Sequence, residues 1–222
     1  MRQLEDEVKT LSATRLWDVA GARLGAKGRL IPARVIAEDL LPWRSSRVID
    51  AGHSKGASNG DPVTTRDFAV DRGEREGVRS GLAIVTGETL MGFIDLANSQ
   101  SARVKLLSDP QSAMKVRVGR VIDQTFAGPD RYFWLVGRGP GRMEIRDAER
   151  KELEAGLIQV GDMVLSDPQD ELLPAAMLIG RVDRIDENPD NPLFVTVGVA
   201  GAVPERSLRR VYIYDPAGDA AE

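Results

Sequence analysis

The chain contains no cysteine and a single histidine, His53. Without thiols there is no disulfide, no thiolate nucleophile and no Cys-ligated metal. With one imidazole, a zinc site built on several histidines cannot form within one chain. Aromatic residues are scarce, at 5%, so the core has to rest on Val, Leu, Ile and Ala. Positive charge is not in excess: 30 Lys and Arg stand against 34 Asp and Glu, a net charge of −4. A weakly acidic chain has no general attraction for phosphate backbones, which argues against a nucleic-acid partner. Long apolar runs are missing as well. No stretch approaches the roughly 18–20 residues a membrane helix needs, and the richest, Leu172 to Ile179, is broken by Pro174. Met1 leads into polar, helix-forming residues rather than a signal peptide. The expectation is a soluble chain whose membrane anchor, if it has one, lies outside these residues.

What is present is a globular balance, 42% hydrophobic and 29% charged over 222 residues. That is enough for one large domain or two small ones with a real core. Residues Arg2 to Val19 read as a helix. Leu4, Val8 and Leu11 are spaced four and then three apart, the rhythm of a coiled-coil seam, and Arg15 ends the stripe. A short amphipathic helix fits the same residues; their position favours the end of a longer coiled coil, with Leu4, Val8 and Leu11 as its oligomer interface.

Gly21, Gly25 and Gly28 then break the helix, and short strands with Gly and Asp-Pro turns take over. Strands are expected at Ala33–Ala37, Val48–Asp50, Phe68–Val70, Leu82–Val85, Leu90–Leu96, Ala102–Leu107 and Met114–Ile122. In the second half they are expected at Tyr132–Val136, Met163–Leu165, Ala176–Ile185, Leu193–Val199 and Arg210–Tyr214. Arg146 to Ala155 is the one later helical candidate. Such spacing points to barrels or sandwiches rather than βαβ units. An internal echo supports two related domains. Gly81-Leu82-Ala83-Ile84-Val85 leads to Leu90-Met91-Gly92, and Gly161-Asp162-Met163-Val164-Leu165 leads to Leu178-Ile179-Gly180. The second glycine of each set fits a bulge or bend where a Cβ would crowd the next strand. The expected fold is therefore mainly all-β, two small β-barrel-like domains preceded by a short coiled-coil helix. The expected division is 1–28 helix and linker, 29–125 first barrel, 126–216 second barrel and 217–222 frayed tail.

Few segments look chemical. Gly52-His53-Ser54-Lys55-Gly56 matches the G-x-S-x-G nucleophile elbow. That elbow needs a strand-turn-helix context and a histidine from elsewhere in the fold, whereas here the only histidine is the serine's neighbour. A Ser54–Lys55 pair would point apart on an extended loop, so a polar loop is the better reading. Asp186 to Asn191 begins like a calcium loop but has Asn191 where glycine belongs and Val197 where glutamate belongs; a hairpin turn fits better. Arg138-Gly139-Pro140-Gly141-Arg142 lacks the spacing of a phosphate loop and reads as a tight turn. No catalytic residue, metal ligand or cofactor site emerges, and the expectation is a protein that is not an enzyme.

The order of segments carries a resemblance. Ala33-Arg34-Val35-Ile36-Ala37-Glu38-Asp39 with Pro42-Trp43-Arg44-Ser45 resembles the opening of the β-region of the rod shape-determining MreC family. Phe68-Ala69-Val70-Asp71-Arg72-Gly73 and Gly77 to Val85 are similar to its most recognisable block. Gly87, Leu90-Met91-Gly92 and Ser101 to Pro110 continue it, and Val160 to Val164 and Leu178 to Val182 fit its second β-domain. The chain departs from that pattern in three places, one being that no membrane helix precedes the expected coiled-coil segment. The loop Ile49 to Asp67 reads as an insertion, and Ser166-Asp167-Pro168-Gln169-Asp170-Glu171 is acidic where a glycine-rich segment is expected.

The resemblance implies a bitopic membrane protein with an N-terminal anchor, a coiled coil and two β-barrel-like domains outside the cytoplasmic membrane, on its periplasmic face. It implies a self-associating scaffold of cell-wall elongation that binds a penicillin-binding transpeptidase and MreD and acts with the actin-like MreB. The competing reading is a periplasmic adaptor of the membrane-fusion type, which normally shows two helical arms around a split lipoyl domain; one helix is visible here.

Overall fold

In the computed structural model the residues described are 28–37, 68–123, 125–188 and 191–217. The helix expected over Arg2 to Val19 lies outside them. So do Leu4, Val8 and Leu11, the strand expected at Val48–Asp50, the loop 49–67 with its Ser54 motif, and the tail from 218.

The described chain is mainly β, as expected, with just over half of its residues in strands and few in helices. The strands are β1 (Arg29–Ala37), β2 (Phe68–Val70), β3 (Ala83–Thr86), β4 (Thr89–Ala97), β5 (Ala102–Leu106), β6 (Ala113–Ile122) and β7 (Thr125–Ala127). Then come β8 (Phe133–Gly137), β9 (Arg142–Glu149), the short helix α1 (Arg150–Glu154), β10 (Met163–Ser166), β11 (Leu178–Glu187), β12 (Phe194–Gly201) and β13 (Arg210–Asp215). The helical expectation over Arg146 to Ala155 is corrected at its start. Residues 146–149 continue β9, paired to β12 through Ala148 and Glu149, because the cross-strand partners outweigh the weak helical preference of the segment.

The pairings close two barrels. One runs β1-β2-β5-β4-β3-β13 and back to β1. The other runs β6-β8-β9-β12-β11-β10 and back to β6. Closure leaves few free sheet edges. The contiguous division at 125/126 is therefore corrected. β6 belongs to the second barrel, although it follows the first five strands. β13 belongs to the first barrel, although it follows the second barrel's last strand. Set β1 to β6 beside β8 to β13 and the cyclic order is the same in both. Each half of the chain supplies five strands to its own barrel and the sixth to the other.

The glycine echo is visible in the geometry. Gly81 and Gly161 have φ of 88° and 94°, a region that favours glycine. The Gly81 N–H donates to the Ile94 carbonyl at 2.8 Å, and the Gly161 N–H donates to that of Val182 at 2.8 Å. The register slips beside Gly92 in the β3–β4 pair and beside Gly180 in β10–β11. A Cβ at Gly92 would stand 2.1 Å from the Lys105 carbonyl oxygen, and one at Gly180 would stand 2.1 Å from that of Ala200. The crowding expected from sequence is present in both barrels.

Two large cores result. One fills the first barrel with Phe68, Val70, Ile84, Ile94, Val211 and Ile213 among others. The other fills the second barrel around Phe133, Ile145, Val164 and Val197, and also takes in Ala83, Val85, Leu90 and Tyr214. Those four come from strands of the first barrel. β3, the start of β4 and the end of β13 thus bury both faces, one inside their own barrel and one against its neighbour, which is why Ala83–Val85 and Leu90–Met91 read as unbroken apolar runs. Polar bonds lock the junction. Glu205 accepts from the Ser108 hydroxyl and, at 3.0 Å, from the Gly141 N–H, while the Gly139 N–H donates to the Ser108 carbonyl at 2.8 Å.

Candidate functional site

Beside this junction lies an open groove of about 420 Å³. β8 supplies its most prominent side chain. Phe133 and Leu135 point into the second barrel, so the alternation turns Trp134 outward. Trp134 is 52% exposed, and Tyr132, two residues earlier and on the same side, is 39% exposed. Lys115 stands directly across from Trp134 on β6, its ammonium 5.9 Å from the centre of a Trp134 ring. Phe93 of the first barrel and Met114 of the second form the floor, both packed against the shared core.

The opposite wall is the turn 167–172. Asp167 accepts from the Gln169 N–H at 2.8 Å and from the Tyr132 hydroxyl at 3.1 Å. Asp170 accepts from the Leu172 N–H at 2.9 Å. These side-chain bonds to the backbone shape the turn and present Leu172, 46% exposed, over the groove. Burial raises the Tyr132 pKa, and the hydrogen bond and charge of Asp167 raise it further, so the hydroxyl keeps its proton and donates at neutral pH.

A second hollow of about 450 Å³ lies at the far end of the second barrel, between the 129–131 loop and α1. Three of its charged side chains, Arg131, Glu152 and Lys151, are paired within the chain. Arg131 binds Glu152 through both carboxylate oxygens at 2.6 and 2.9 Å and lies 4.3 Å from the centre of the Phe133 ring. This is a bidentate pair holding α1 to the loop before β8.

The segments singled out from sequence settle as follows. Arg138–Arg142 is the tight β8–β9 turn, with Gly139 and Gly141 at φ of 105° and 65°. β11 and β12 pair as an antiparallel hairpin around the calcium-like segment, and Val197, at the position a calcium loop needs for its glutamate, is wholly buried in β12. No group of three or more metal-ligating side chains occurs among the described residues. No described helix is long and apolar enough to cross a membrane. Trp134, Tyr132 and Leu172 were not singled out from sequence. The available signal was a pair of aromatics, Tyr132 and Trp134, two residues apart at the start of an expected strand.

The fold and groove define a double-barrel β protein with a half-exposed tryptophan beside the junction of its barrels. The family model for rod shape-determining protein MreC, barrel core, matches residues 64–215, and the chain belongs to the MreC family. Solved structures agree in fold. MreC from Pseudomonas aeruginosa is 21% identical with a TM-score of 0.60, over 83% of this chain and 98% of that one. The major periplasmic domain from the cell shape-determining filament MreC is 14% identical with a TM-score of 0.54, over 85% and 96%. MreC in complex with a penicillin-binding protein, from Helicobacter pylori, is 16% identical with a TM-score of 0.51, over 86% and 100%. No curated relative matches.

Proposed function

We propose that this chain is a non-catalytic scaffold of bacterial cell-wall elongation, working on the periplasmic side of the cytoplasmic membrane. It binds a penicillin-binding transpeptidase and MreD, and acts with the MreB machinery. The observation that carries the reading is the family match over 64–215, which spans every strand from β2 to β13. The complex of a relative with a penicillin-binding protein supports the transpeptidase as a partner. In this reading the chain self-associates through a seam to which Leu4, Val8 and Leu11 contribute, and an N-terminal anchor tethers it to the membrane.

The test is the solution mass across concentration by analytical ultracentrifugation, beside a Leu4→Asp/Leu11→Asp variant, followed by titration with a purified transpeptidase ectodomain. A dimer or larger species that the variant disperses is the expected result. An assembly that survives the variant moves self-association to the barrels. A strict monomer that also ignores the transpeptidase overturns the scaffold reading.

A further inference from the structure

The structure assigns a partner chemistry to the groove between the barrels: we infer that it receives a polypeptide segment carrying one apolar anchor flanked by arginine or lysine. The inference rests on the scaffold reading above and adds where a partner touches this chain and what that partner must display.

Three observations carry it. The first is apolar surface left open. Trp134 and Leu172 stand on facing walls, each about half exposed, over a floor of Phe93 and Met114. Large aromatic and aliphatic side chains placed together in a concave site are the residues that dominate binding energy at interfaces. The second is rigidity. Trp134 sits on a strand paired on both sides, and the Leu172 turn is fastened by the Asp167 and Asp170 carboxylates, so little ordering cost remains for binding. The third is charge. Two carboxylates, Asp167 and Asp170, line the groove against one ammonium, Lys115, and Glu171 adjoins them in sequence. Both aspartates have a local hydrogen bond, but among the ion pairs of the described residues neither has a cationic partner.

An arriving arginine can do two things here that a neutral or acidic residue cannot. Its guanidinium can pair with a carboxylate through two hydrogen bonds, and it can stack on the open face of Trp134. Lys115 already stands near that ring and competes for it.

The experiment is fluorescence anisotropy of short labelled peptides against the full chain. One peptide has a single central leucine between arginines, a second has glutamates for the arginines, and a third has alanine for the leucine. The arginine–leucine peptide is expected to bind best, with the glutamate peptide roughly tenfold weaker and the alanine peptide weaker by a similar factor. Trp134→Ala is expected to weaken the arginine–leucine peptide about thirtyfold. Asp167→Asn/Asp170→Asn keeps the turn's acceptors and is expected to reduce both affinity and its salt dependence. Lys115→Ala is expected to tighten binding.

Trp134 is half exposed, so its loss is expected to lower the unfolding temperature without unfolding the chain at the assay temperature, which the thermal profile checks, and Leu172→Ala serves as a second variant. Equal binding of the arginine and glutamate peptides, or an unaffected Trp134→Ala, overturns the inference. So does a wild-type chain that binds a purified transpeptidase ectodomain but none of the peptides; in that case the scaffold reading stands. If neither peptide nor transpeptidase binds, both fall.

Discussion

Glycines and one ion pair show how single residues decide this structure. Gly92 and Gly81 lie eleven positions apart and are glycine for different reasons. At Gly92 a Cβ would meet the Lys105 carbonyl oxygen at 2.1 Å, whereas at Gly81 nothing lies within 4 Å and only the φ of +88° is demanding. Gly92→Ala is expected to cost about 3 kcal/mol, because backbone of the next strand has to move. Gly81→Ala is expected to cost about 1–2 kcal/mol, the penalty for a left-handed residue; urea unfolding separates the two. Glu152 sets a pH dependence. Burial pushes its carboxyl pKa up, but hydrogen bonds from Arg131 and the Glu149 N–H, with the Arg131 charge, hold it below the ordinary 4.5. A carboxyl held below its unfolded value adds stability above that value and loses it as pH falls through the folded value. Wild-type stability is thus expected to drop below about pH 4.5, and Glu152→Gln to flatten that part of the urea-midpoint profile. Arg131→Ala, which strands the carboxylate, is expected to cost about 2 kcal/mol. That is less than for a fully buried pair, because Arg131 is one-third exposed.

At the scale of elements, the informative strand is β13. Val211 and Ile213 fill the first barrel, and the backbone pairs β1 along Arg29–Arg34 and β3 along Ala83–Val85. Among the described residues no other strand bridges β1 to β3. A chain ending at Arg209 is therefore expected to open the first barrel, with amides of β1 and β3 exchanging hydrogen much faster than in the full chain; protection equal to wild type would show that the barrel closes some other way. Most of the strands were legible in the sequence, since β5, the middle of β6 and the start of β13 alternate apolar and polar residues. β3 and the start of β4 were legible as strands but not in their role. Their unbroken apolar runs reflect burial on two faces, and a single sequence does not say what covers the second face.

At the scale of the molecule, the exchange of sixth strands makes the barrels mutually dependent. Each closes only with a strand from the other half, and they share the core around Ala83, Val85, Leu90 and Tyr214. Calorimetry is expected to show one unfolding transition. Ile213→Ala in the first barrel and Phe133→Ala in the second are expected to lower that same transition, by roughly 2–4 °C per kcal/mol lost. Two separable peaks, each moved by one variant only, would show that the barrels unfold independently.

The sequence alone determined the chemical class and the building blocks. Lack of cysteine and the single histidine removed whole families of sites, alternation and turn residues specified strands, and paired glycines announced two related bends. These are properties of composition and of neighbours along the chain. Which barrel owns β6 and β13, and that Trp134, Leu172, Asp167 and Asp170 line one groove, was decided only by tertiary structure. Barrel closure is a matter of which edges remain unpaired in space. Trp134 and the 167–172 turn meet because β8 and β10 both pair with β6, packing of the first barrel adds Gly81 and Phe93, and no local pattern encodes those meetings.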